Sequence, residues 1–241
     1  MKLTIGYLYP DLLNLYGDRG NIQCLKKRLE WRGIEAEILS FSSEGRIDFT
    51  RPDILMLGGG SDREQELAAE KLWKLRGELG RYLEDNGVLL AVCGGYQLLG
   101  DYYKTAQKTI RGMELLHFYT EYQPKRLVQN VVLQSPFFSS PIVGFANHGG
   151  QTHIGDYTPL GKVLYGFGNT ESSGQEGLLC KNILATYLHG PLLPKNPEVC
   201  DFLIVRALQR KYGKKVCLPP LPDTEEHRAN SYLVKNLVFC P

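Results

Sequence analysis

The chain has no apolar run approaching the length of a bilayer span, which argues against a membrane-spanning helix. It has no excess of either charge. Lys and Arg number 28 against 26 Asp and Glu, a formal net charge of +2, so nothing points to nucleic acid or an anionic surface as partner. The six cysteines stand apart at 24, 93, 180, 200, 217 and 240. None form the close pairs of a zinc site, and a chain of 241 residues is far larger than a disulfide-stapled scaffold. A reducing cytoplasm fits this cysteine usage. No signal peptide is expected, because Met1-Lys2-Leu3-Thr4-Ile5-Gly6 runs directly into a strand pattern. Internal repeats and low-complexity tracts are absent as well. What remains is an ordinary globular composition, 43% hydrophobic and 22% charged, sufficient for one large domain or one domain with an appendage.

One stretch organises the rest, Leu89-Leu90-Ala91-Val92-Cys93-Gly94-Gly95-Tyr96-Gln97-Leu98-Leu99-Gly100. Val88 to Val92 is apolar throughout and follows the turn Asn86-Gly87, so it reads as a buried strand. A helical pattern opens beyond the glycines, which puts Cys93 on the corner between strand and helix. A thiol there projects from the carboxyl edge of a sheet, where open α/β folds bind ligands. It also faces the unpaired N–H groups of a helix start, which favour thiolate. A buried, inert core cysteine is the competing reading. The Cys-Gly-Gly sequence at a strand end favours a nucleophile elbow with sulfur in place of oxygen.

Other elements follow in order. Leu3 to Leu8 is a strand. Ile22, Leu25 and Leu29 make a helix stopped by Gly33, and Ile34 to Leu39 alternates as a strand near an edge. Ile54 to Leu57 is a third strand and ends in Gly58-Gly59-Gly60. That triple glycine lacks the Lys-Ser/Thr of a P-loop and the Rossmann spacing, which leaves an oxyanion hole or a plain tight turn. Ser61 or Asp62 caps a long helix whose apolar face includes Leu67, Leu72, Leu75, Leu79, Tyr82 and Leu83. This order predicts an α/β fold, a doubly wound and mostly parallel sheet with helices on both faces. Short strands at 128–134, 142–146, 162–167, 177–180 and 183–188 read as antiparallel additions at one edge. Asn196-Pro197-Glu198 opens a further helix, and Asp223 or Thr224 caps the last one.

A cysteine nucleophile needs a base, and the histidines are His117, His148, His153, His189 and His227. His189 follows the apolar run Ile183 to Leu188. If that run joins the parallel sheet, its carboxyl end reaches the edge that holds Cys93. A histidine that merely caps a strand end remains an equal reading on these grounds. His148, in Asn147-His148-Gly149-Gly150, is the runner-up.

Ala91-Val92-Cys93-Gly94-Gly95-Tyr96-Gln97, with the later Tyr187-Leu188-His189-Gly190, resembles the nucleophile and histidine motifs of class I glutamine amidotransferases of the cobyric-acid-synthase type. Tyr16 to Asn21, Leu57 to Gln65, Gly144 to Gly149 and Thr186 to Pro191 look, more narrowly, like the glutaminase subunits of lipid II isoglutaminyl synthases. The resemblance implies a flavodoxin-like sheet with antiparallel edge strands, an amidotransferase domain over 3–200, and a C-terminal helix and tail over 201–241 packed on it or on a partner. It implies Cys93 as nucleophile, His189 as base and acid, backbone N–H groups of Gly60 and Gly94 as oxyanion hole, and Arg126 as binder of the glutamine α-carboxylate. Arg126 otherwise reads as a solvated charge beside Lys125. No metal or other cofactor is expected in this chain. The partner implied is an ATP-dependent, Mur-ligase-like synthetase subunit in a heterodimer, which would hold ATP and Mg²⁺, and the location is the cytoplasm, at the inner membrane face through lipid II.

Corrin carboxylates as the acceptor, a non-catalytic regulatory subunit and another cysteine hydrolase are the alternatives. The cobyric-acid type is usually fused to its synthetase, so a chain of this length is expected to be a separate subunit. One departure stands out. The family's usual glutamate two residues past the histidine is Pro191 here, so the pair is expected to work as a dyad or to borrow a carboxylate, with the partner as its proposed source.

Overall fold

A computed structural model describes residues 1–213 and 216–239; Cys240 lies outside them. The first half alternates strand and helix: β1 (Lys2–Leu8), α1 (Arg19–Glu30), β2 (Glu35–Phe41), β3 (Ile54–Leu57), α2 (Asp62–Glu84), β4 (Val88–Val92) and the short α3 (Gly94–Leu99). Strands β3 and β4 are buried at every position, as continuous apolar runs covered on both faces must be. Ser61 caps α2 in a reciprocal capping box with Glu64. The face of α2 turned inward includes Ala68, Leu72, Leu79 and Tyr82, while Leu67 stays exposed.

The second half supplies β5 (Tyr102–Lys104), β6 (Thr109–Arg111), β7 (Tyr119–Gln134), β8 (Ile142–His153), β9 (Gly161–Tyr165), β10 (Gln175–Glu176), β11 (Leu178–Cys180) and β12 (Ile183–Thr186), then α4 (Pro197–Tyr212) and α5 (Thr224–Val234). The main sheet has the order β11-β12-β4-β3-β1-β2. Its pairings are parallel except that between β11 and β12. The carboxyl ends of β1, β3, β4 and β12 therefore open on one edge, with Leu57 beside both Leu8 and Ala91 and Val92 beside Thr186. Between β1 and β3 the strand order reverses, the place where such sheets leave a crevice.

Of the strands expected as antiparallel edge additions, only β11 is one, and β12 is a parallel member of the main sheet. The others build a second sheet, β10-β9-β7-β5-β6, with β8 paired to β7. The long β7–β8 hairpin explains the difference. Its two strands bond to each other along most of their length, so they need no edge of the first sheet. Helix α4 runs across position 200, and Arg28 of α1 binds both Asp201 of α4 and Asp223 at the start of α5. Asn230 of α5 donates to the carbonyls of Pro141 and Lys195, which ties the last helix to the loop that leaves the main sheet.

Candidate active site

Cys93 sits between β4 and α3 with φ 51° and ψ −106°, a positive φ that L-residues rarely adopt. Its N–H donates to the Thr186 carbonyl at 2.8 Å and its carbonyl accepts from the Gln97 N–H at 3.0 Å. The strained residue is thus held from both sides, which is what fixes a nucleophile on a sharp corner. Cys93 is 7% exposed, yet it lines an open cavity of about 490 Å³ with Gly60, Asp62, Gln97, Tyr103, Arg126 and His148 among the other walls.

Gly59 shows that Cys93 and His189 meet. A Cβ at Gly59 would lie 3.1 Å from Cys93 Cβ, 3.6 Å from Cys93 Sγ and 3.2 Å from His189 Cε1. Sulfur and imidazole therefore crowd one point, and any side chain there would have to push one of them aside by a few tenths of an ångström. His189 arrives past the end of β12, held by mutual backbone bonds with Phe145 of β8 (2.8 and 3.3 Å).

A carboxylate faces the histidine from the residue just before α1. Asp18 Oδ1 stands 3.5 Å from His189 Nδ1, and both side chains are fully buried. The other oxygen, Oδ2, accepts from the Gly59 N–H at 2.8 Å. Asp18 is the residue before α1 but makes no side-chain cap; its carboxylate turns to the histidine instead. Pro191 packs on Gly20 in the first turn of α1, where a Cβ would fall 2.4 Å from the proline ring. The loop after His189 is thereby pressed onto the helix that presents Asp18. Asp18 is thus the carboxylate that this chain places beside His189, where a dyad or a partner's carboxylate was expected. Sequence reading missed Asp18 because it lies 171 residues from His189 in a loop with no regular pattern, although it falls inside the Tyr16 to Asn21 motif.

The electrostatics agree with this geometry. Burial opposes a charge on His189, but the Cys93 sulfur and the Asp18 carboxylate outweigh it and hold the imidazole pKa up at about 10. His148 is the reverse. Burial pushes it down to about 4, its ring stacks on Tyr187 at 3.6 Å, and Nδ1 is 2.6 Å from the Gly150 carbonyl. It is a neutral wall of the cavity, not the base. Behind the histidine strand lies Glu176, fully buried, which accepts from the Tyr187 N–H (2.6 Å) and the Thr186 hydroxyl (2.9 Å); burial raises its pKa to about 7.

Of the expected oxyanion donors, Gly60 lines the cavity and Gly94 opens α3. Their neighbours are engaged: Gly59 N–H by Asp18 and Gly95 N–H by the Gly58 carbonyl. Arg126 stands on an irregular stretch of β7 where the register with β8 jumps between Tyr122 and Leu127. Pro124 in that stretch has no N–H to give to a ladder. The Arg126 guanidinium donates to Asn147 Oδ1 through Nη2 at 2.9 Å and Nε at 3.2 Å and faces the same cavity as Cys93. Among the described residues no group of His, Cys, Asp and Glu could hold a metal ion, and no helix is long and apolar enough to cross a membrane.

Residues 4–197 match the CobB/CobQ-like glutamine amidotransferase domain. Over 211 residues the chain is 44% identical to the lipid II isoglutaminyl synthase (glutamine-hydrolyzing) subunit GatD of Staphylococcus aureus, covering 87% of this chain and 86% of that protein. It is 38% identical over 225 residues to the subunit of the same name from Streptococcus pneumoniae, covering 92% and 86%. A glutamine amidotransferase from Thermotoga maritima superposes with a TM-score of 0.53 over 98% of both chains at 13% identity, a likeness of fold alone.

Proposed function

We propose, on the premise that this chain belongs to the CobB/CobQ-like glutamine amidotransferase family, that it is the glutaminase subunit of a synthase that amidates lipid II. It hydrolyses L-glutamine to glutamate and ammonia and hands the ammonia on. The reading rests on one observation, the meeting of Cys93 and His189 at Gly59, with Cys93 in the wall of an open cavity. The relatives of 44% and 38% identity support the acceptor, since both are named as subunits of lipid II isoglutaminyl synthase.

The chemistry follows from the placement. Arg126, steadied by Asn147, takes the glutamine α-carboxylate in a two-point contact. Cys93 Sγ, as thiolate beside the His189 imidazolium, attacks the side-chain amide carbon. The oxyanion forms against the N–H groups of Gly60 and Gly94. His189 gives its proton to the amide nitrogen, the C–N bond breaks and ammonia leaves. Water then attacks the γ-glutamyl thioester, His189 accepts its proton, and glutamate departs as the C–S bond opens. Asp18 holds the ring in orientation and stabilises its positive form. The acceptor carboxylate is activated elsewhere, in an ATP- and Mg²⁺-dependent, Mur-ligase-like partner subunit at the cytoplasmic face of the membrane. No step in this chain calls for a metal.

The test is co-expression with such a ligase, followed by glutamine- and ATP-dependent amidation of lipid II. Trapping the thioester, or an adduct of a glutamine-analogue electrophile, on Cys93 by intact mass assigns the nucleophile. A complex that amidates lipid II from glutamine when Cys93 is alanine refutes the reading.

A further inference from the structure

Glutamine carries an α-ammonium as well as an α-carboxylate, and the contacts above account for only one of the two. The cavity has two arginines in its walls, Arg63 and Arg126, and a single carboxylate, that of Asp62. Asp62 is the first residue of α2. Its neighbour Glu64 is engaged in the capping box with Ser61, so the start of this helix does not depend on Asp62 for its cap. Asp62 Oδ1 instead accepts a hydrogen bond from the Tyr103 hydroxyl at 3.1 Å. Tyr103 is itself nearly buried and comes from β5 of the second sheet. The tyrosine aims the carboxylate into the cavity and leaves Oδ2 for another donor.

The Gly149–Gly150 segment relates this group to Arg126. A Cβ on Gly149 would lie 3.7 Å from Arg126 Nη1, and one on Gly150 would lie 3.2 Å from the Tyr103 ring. Gly149 and Gly150 are consecutive in β8 and face opposite sides of the strand, Gly149 towards Arg126 and Gly150 towards Tyr103, and both of those side chains line the one cavity. Ammonium and carboxylate hang from the same α-carbon in an amino acid. A guanidinium and a carboxylate lining the cavity that also holds the sulfur supply the two charges such a ligand needs.

We propose that Asp62, held by Tyr103, is the subsite for the α-ammonium of glutamine and makes the site selective for a free α-amino acid. The proposal rests on the glutaminase reading above. Glutamine presents its amide to Cys93, its carboxylate to Arg126 and its ammonium to Asp62. Ligands lacking the ammonium lose one charge-assisted contact, worth about 10- to 100-fold in affinity. Peptide-bound glutamine, whose nitrogen is an uncharged amide, is rejected for the same reason.

The test compares L-glutamine with its des-amino analogue, 5-amino-5-oxopentanoate. Titration calorimetry uses the full chain with Cys93→Ala, which binds without turnover. The intact Asp62 site should prefer L-glutamine by at least tenfold. Asp62→Asn should abolish most of that preference by weakening L-glutamine alone, Asp62→Glu should restore part of it, and Tyr103→Phe should lower it less. Thermal unfolding of each variant reports any effect on α2, and loss of a purely structural contact would move the melt without moving the ratio. A preference that survives Asp62→Asn overturns the proposal, as does an Asp62-intact chain that binds the two compounds equally. Selective binding of L-glutamine by the Cys93→Ala chain, with no glutamine hydrolysis by the wild-type chain co-expressed with its ligase partner, supports this subsite and refutes the glutaminase reading. A chain that binds neither compound overturns both.

Discussion

The two sheets contribute to the site in different ways. The main sheet delivers Asp18, Gly59, Cys93 and His189 from loops at the ends of four strands in fixed parallel register, three of those strands buried along their whole length. The second sheet delivers Tyr103, Arg126, Asn147 and His148, and the part of β7 that bears Arg126 is exposed and out of register. The groups proposed to exchange a proton stand on a rigid base, where small displacements are costly. Those proposed to select the ligand stand on a hairpin with an irregular strand. On the proposed mechanism reaction and recognition stand on separable supports, so substitutions in one sheet should fall on kcat and those in the other on KM.

The sharpest way to break that division is at its centre. Cys93→Ala is expected to lower glutamine hydrolysis by about 10⁴-fold or more with the fold unchanged, read as ammonia release beside a circular dichroism melt. Gly59→Ala should cost about 100-fold in kcat, because the added methyl falls within 3.2 Å of both Cys93 and His189; normal turnover would show that the two groups do not need this approach.

Asp18→Asn comes next, with a loss of about 10²- to 10³-fold in kcat and a change in pH dependence. His189 is raised from 6.5 to about 10 in the fold. Its contribution to stability is therefore fully present below pH 6.5 and lost as pH rises through about 10. Without the Asp18 charge, both this alkaline loss of stability and the alkaline limb of kcat/KM should move to lower pH. An unmoved limb would leave Asp18 a purely structural role.

Arg126→Lys tests the recognition side. It should raise the KM for glutamine about tenfold with little change in kcat, since an ammonium cannot reproduce the two-point contact. An effect on kcat alone would erase the distinction between the sheets. The smallest effect is expected at Glu176. Its pKa lies near 7 in the fold against 4.5 unfolded, so the folded state binds more protons over that interval and stability falls as pH rises through it. Glu176→Gln should flatten this fall, by a few °C in Tm between pH 5 and 8.

Much of the main sheet was legible in the sequence. Ile54–Leu57 and Val88–Val92 match their strands at both ends, Ser61 caps α2, and Cys93 sits on the corner its neighbours imply. Continuous apolar runs bounded by glycine leave few alternatives. The second sheet was much less legible. The strand expected from 128 begins at Tyr119 instead, because Tyr122 to Arg126 is exposed and interrupted by Pro124 and shows no strand alternation. The strand expected at 142–146 runs on through Asn147-His148-Gly149-Gly150 to His153 in β8. In both places cross-strand pairing over more than twenty residues prevailed over local preference.

Local order along the chain, then, determined which residues form the parallel strands and which thiol stands at a strand end, because burial and backbone freedom leave their mark within a few neighbouring residues. Which carboxylate faces His189, and which cations and anions share a cavity with the sulfur, was decided only when β1, β3, β4 and β12 came side by side and the β7–β8 hairpin folded beside them. Such contacts join residues with no sequence proximity, and electrostatic pairing acts on distance in space rather than distance along the chain.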